Sequence, residues 1–241
     1  MRRYGPAVLL ALVGAAILRV SLFSDLYLRY VQPGLRPYLV VSGVVLVLLG
    51  VGVLVRTADD GEAQEDLGAP AGHTHGPAGP RVAWFLTLPA LALLLFPPPA
   101  LGSYSAEREA DRRAARGVGT FPALPAGNPL DLTLGEFGSR AVYDSGRSLT
   151  GRTVRLTGFV TRDADGTWYV TRLLVSCCAA DAGAAKAEVR GVGAPPVDTW
   201  ITVTGTWHPE GEPGSDAAWP PVLDATSVRR TPQPDNPYEK R

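Results

Sequence analysis

Three uncharged or nearly uncharged apolar runs fill most of the first 101 positions, and they constrain this chain more than anything after them. Residues 6–23 carry one charge, Arg19, whereas 38–55 and 82–101 carry none. A helix rises about 1.5 Å per residue, so runs of this length reach roughly 27–30 Å, the thickness of a hydrocarbon core. The second and third runs are apolar on every face, which suits lipid better than a soluble core. Arg2 and Arg3 precede the first run as they would in a signal peptide. The residues after it, Leu22, Phe23, Asp25 and Tyr27, offer no small-x-small cleavage site, so it reads as a retained span. Arg19 lies four residues from Phe23 and can snorkel to the interface. Pro97, Pro98 and Pro99 cut the third run short, and Trp84 suits an interfacial anchor near its start.

The expected organisation follows. Residues 1–102 form a transmembrane region with spans near 6–23, 38–55 and 82–101, and 103–130 a stalk. Residues 131–241 form an extracytoplasmic β domain. Arg2 and Arg3 favour a cytoplasmic amino terminus, and three crossings put the carboxyl-terminal domain outside a cell membrane; Arg29 and Arg36 dilute that bias. The loop 56–81 is acidic and rich in Ala, Gly and Pro, the composition of a disordered linker. It holds His73 and His75, which could ligate a metal only weakly, because ordering a floppy chain opposes closure.

The soluble half has 16 basic and 17 acidic residues. That balance argues against nucleic acid as a partner. Thr133-Leu134-Gly135-Glu136 fits a capping box, predicting a short helix. The period then changes to two. Segments 152–160, 167–175, 199–207 and 221–228 predict strands, with Asp163-Ala164-Asp165-Gly166 as a hairpin corner. Gly158 and Gly205 fall late in their strands, where a closed barrel needs bends or bulges. Four or five antiparallel strands with one intervening segment predict a small OB-like barrel, with a sandwich as the competing architecture. Trp168, Tyr169, Trp200 and Trp207 read as core or cross-strand partners before they read as a stacking platform.

Cys177 and Cys178, the only cysteines, stand side by side at the end of a predicted strand. Three readings stay open. With Asp181, and with His208 from another strand end, they could hold zinc or another thiophilic metal. They could form a strained, redox-active vicinal disulfide. Or they could be small hydrophobes packed in the barrel. No nucleophile triad, phosphate loop or paired-carboxylate pattern supports an enzyme.

Several segments resemble the YcgQ-like family of bacterial membrane proteins. They are Tyr30-Val31-Gln32-Pro33 with Pro37, the histidine-bearing linker, Trp84, Leu173-Leu174-Val175-Ser176-Cys177-Cys178-Ala179-Ala180-Asp181-Ala182, Trp200 to Trp207, and Asn236-Pro237-Tyr238-Glu239. That resemblance implies an accessory subunit in the lipid bilayer, working beside a separate multi-span permease. It implies no catalytic residue.

Overall fold

A computed structural model of the protein describes residues 4–62, 95, 99–109 and 118–241. The His73/His75 loop, nearly all of the third apolar run and residues 110–117 of the expected stalk lie outside the described residues. Two compact units emerge. One comprises Met1–Tyr27 and Pro33–Pro99; the other comprises Ala100–Arg241 together with Leu28–Gln32.

In the first unit, α1 (Gly5–Leu22) and α2 (Arg36–Glu62) are each long and apolar enough to cross a bilayer. They pack antiparallel through small residues. A Cβ at Gly14 would collide with the Gly43 carbonyl and Val47, and one at Gly50 with the backbone of Ala7 and Ala11. Such close approach is how helices associate where lipid removes the hydrophobic driving force. The other faces leave large aliphatic side chains open, among them Leu12, Val41, Leu48 and Leu49. In water that would be an aggregation surface; against acyl chains it costs nothing. Arg36 closes the connection, its Nε donating to the Ser21 carbonyl at 2.9 Å.

Among the described residues, the second unit is all-β apart from short 3-10 turns and two α-helices, α3 (Ser103–Glu109) and α4 (Leu134–Tyr143). Its strands are β1 (Leu130–Asp131), β2 (Thr153–Arg162), β3 (Trp168–Val175), β4 (Gly183–Arg190), β5 (Trp200–His208), β6 (Val222–Arg230) and β7 (Tyr238–Lys240). Five of them close a ring: β2 pairs with β3 and β5, β5 with β6, β6 with β4, and β4 with β3. That closed order, with one parallel pair, is the connectivity of the OB-like barrel. The expectation of purely antiparallel pairing is corrected. β4–β6, β1–β2 and β3–β7 all run parallel, the first because β5 intervenes between β4 and β6 and reverses the chain.

Val154, Leu156, Val160, Val170, Ile201, Val203 and Leu223 fill the interior, with Leu134 and Phe137 of α4 plugging it. Gly205 lies at a register shift in the β5–β6 ladder, and Gly158 admits the Thr171 carbonyl where any Cβ would collide. The aromatic residues are structural. Trp168 and Tyr169 are buried, and Trp200 stands edge-on to its cross-strand neighbour Phe159 at 5.6 Å. Strand β4 had no clear sequence signal. Its inward positions are Gly183, Ala185, Ala187 and Val189, three of them small and weak in β preference.

The beginning of the expected stalk is docked on the barrel. Asp198 accepts hydrogen bonds from the Ser103 amide and hydroxyl, both at 2.9 Å, and Ala106 joins a small cluster with Phe159, Leu173, Val175 and Tyr238.

Candidate functional site

Strand β3 ends at Val175, and the chain turns through Ser176, Cys177 and Cys178 into a single 3-10 turn, Ala179–Asp181. Asp181 builds this turn. Its Oδ1 accepts from the Ser176 amide at 2.8 Å, and its Oδ2 accepts from the amides of Cys177 at 2.8 Å and Cys178 at 3.4 Å. The Cys177 thiol, and after it three amide donors, favour the carboxylate form and hold its pKa down at about 2. One carboxylate thus folds three consecutive residues around itself, which turns both thiols to the same side.

A second clamp comes from far away in sequence. Val31 bridges Cys178 in antiparallel fashion; the Gln32 amide donates to the Cys177 carbonyl at 3.0 Å and the Ala179 amide to the Tyr30 carbonyl at 2.7 Å. The Gln32 side chain donates to the Val175 carbonyl at 3.2 Å, and the Tyr238 hydroxyl to the Arg29 carbonyl at 2.8 Å. The segment joining α1 to α2 is therefore part of the wall of the cysteine turn. Sequence reasoning did not assign these residues to the site, although Tyr30-Val31-Gln32 and the cysteine run are two of the segments that resemble one family.

The two thiols are free and 3.6 Å apart, with Cys177 exposed and Cys178 partly so. That exposure removes the core-packing reading of the pair. Ligand atoms of Cys177, Cys178 and Asp181 all lie within 4.8 Å of one another. His208 does not join them. It ends β5, where its Nδ1 lies 2.8 Å from Asp224 Oδ2 on the neighbouring strand. A strand-end position was all the sequence offered for His208, and barrel order separates β5 from β3.

Electrostatically the turn is poised for a cation. Hydrogen bonding of the Cys177 thiol to Asp181, and then to Cys178, pushes its pKa up to about 12. A thiolate there would face a carboxylate and a second sulfur, so without a cation the proton stays on. Such a thiol is a poor nucleophile, because exchange chemistry needs the thiolate.

Behind the turn, β7 runs parallel to β3 and delivers Glu239 to the start of α4. Its carboxylate accepts from the Leu134 and Gly135 amides, each at 3.0 Å, while Thr133 caps the Glu136 amide at 3.0 Å. Burial pushes the Glu239 carboxyl above its ordinary range, against these amides and the nearby Arg172 guanidinium.

No curated protein and no solved structure matches the chain. One family comparison does: residues 138–239, which carry β2 to β6, the cysteine turn and Glu239, match the DUF1980 C-terminal domain.

Proposed function

We propose that this protein is a membrane-anchored metal-binding subunit, its β domain presenting Cys177, Cys178 and Asp181 to a thiophilic divalent cation such as zinc. The observation that carries the reading is the convergence of two thiols and a carboxylate within 4.8 Å on an exposed turn. The sulfur separation fits zinc. With Zn–S bonds of about 2.3 Å, sulfurs 3.6 Å apart subtend about 100° at the metal, near the tetrahedral value. Asp181 supplies a third ligand, and the fourth position stays open to water or to an incoming ligand, as it does in sites that exchange rather than merely brace. Metal binding would release the thiol protons and relieve the crowding of negative charge.

The anchoring pattern supports a location outside the cytoplasm. Leu28–Gln32 lie between α1 and α2 yet bond to the cysteine turn, so the β domain shares the side of the membrane reached after one crossing. On this reading the third apolar run expected from the sequence returns the chain to that side after α2, and Arg2 and Arg3 favour a cytoplasmic start. Three spans with a single charged residue offer no convincing ion path. On this reading the protein serves a separate multi-span permease, passing metal to it or receiving metal from it.

The test is zinc titration of the full-length protein in nanodiscs against a chromophoric chelator. One ion per chain should bind, and Cys177→Ser with Cys178→Ser should abolish binding without unfolding the barrel. Equal binding by that variant refutes the site. Mild-detergent purification from the native membrane should co-isolate a polytopic partner, and repeated recovery of the protein alone refutes the accessory role.

A further inference from the structure

Beside α4 lies a cavity of about 320 Å³ that shares no residue with the cysteine turn. Pockets that hold small molecules begin near 300 Å³ and combine apolar walls with a few placed polar groups. The apolar walls here include Phe121, Leu174 and Trp219; Glu136, tied to Arg140, and Lys186, tied to Asp163, line the space beside the basic residues Lys240 and Arg241. Among the described residues no carboxylate pairs with either cation. The Arg241 guanidinium lies over Gly183, where any Cβ would collide with it.

The floor carries a more specific sign. Gly138 is the fifth residue of the ten-residue helix α4 and is buried. Glycine in a helix interior costs about 1 kcal/mol relative to alanine. No packing constraint demands it here: a Cβ at 138 would meet only Trp219, at an ordinary 3.9 Å. The chain therefore accepts a helix penalty at a position whose visible effect is to keep the cavity deep.

We propose that this cavity binds a small organic carboxylate, its apolar body lying between Phe121, Leu174 and Trp219 above Gly138 and its charge meeting Lys240 and Arg241. Binding there is independent of the metal reading and survives its failure.

The experiment uses the full-length protein in nanodiscs, with sodium benzoate and its neutral analogue benzamide as probes and tryptophan fluorescence as the signal. Benzoate should give a saturable change and bind roughly tenfold or more tightly than benzamide, the margin a charge-assisted contact provides. Lys240→Glu with Arg241→Glu should erase that preference. Gly138→Ala should raise the melting temperature and weaken benzoate at least about threefold, a combination that a purely structural glycine would not give. Absence of a saturable response to benzoate, equal binding of benzamide, or a lowered melting temperature in Gly138→Ala would each overturn the proposal.

Discussion

Acidity is the most searching perturbation for the cysteine turn, because only one of its two kinds of ligand responds to it in the working range. Asp181, with its pKa near 2, is already ionised across the working range and releases no proton when metal arrives. Each thiol must release one. Apparent log affinity for zinc should therefore climb by up to about two per pH unit, one per thiol proton. Ordinary thiols, with a pKa of about 8.5, would let the slope flatten by about pH 9. Cys177 does not, because Asp181 pushes its pKa up to about 12, so the contribution of its proton persists through pH 9 and beyond. The sign is fixed by the raised value: below it the proton competes with metal, and raising pH only helps binding. Chelator competition between pH 6 and 9.5 measures the slope, and calorimetry in buffers of different ionisation heat counts the protons. Cys177→Ser should reduce the limiting slope to about one. Asp181→Asn removes the carboxylate that holds the proton on Cys177, so the curve should flatten in the ordinary thiol range while affinity at the plateau falls. Affinity that is flat with pH, or a profile unchanged in Asp181→Asn, refutes the account of the turn as a proton-loaded cation site.

Further expectations rest on other parts of the molecule. Glu239→Ala removes the acceptor for two α4 amides and the charge beside Arg172; it should cost about 2 kcal/mol, measured by urea unfolding followed through tryptophan emission. A loss below about 0.5 kcal/mol would show that water replaces the carboxylate without penalty. Val197 is exposed on the β domain, so Val197→Cys in the Cys177→Ser and Cys178→Ser background should react with a membrane-impermeant maleimide on intact cells; labelling only after lysis refutes the extracytoplasmic placement. Gly50→Leu should disrupt α1–α2 packing, because its side chain would enter the backbone of Ala7 and Ala11. Protease protection of the helical region should then fall, while the barrel's melting is unchanged.

Local chemistry alone determined a good deal. Apolar length fixes α1 and α2 as spanning candidates, since nothing but burial in lipid or protein satisfies eighteen such residues together. Period-two alternation located β2, β3, β5 and β6, and the Thr133 hydroxyl starts α4 as its spacing requires. These signals are local, arising from pleat, turn and capping geometry within a few residues. Strand β4 escaped because its inward residues are small, and what makes it a strand is a place between β3 and β6 that the chain reaches only once the ring closes. The capping box shows the same boundary. Thr133 acts as its spacing predicts, but Glu136 pairs with Arg140 at 3.0 Å, and the first two amides of α4 are met by Glu239, over a hundred residues later. The adjacent cysteines marked a place of interest from sequence. Only the tertiary structure decided that Asp181 folds the turn, that His208 turns instead to Asp224, and that Tyr30 to Gln32 close the site's wall. Each of those facts depends on which strands and loops meet in space, and residue spacing along a chain carries no record of that.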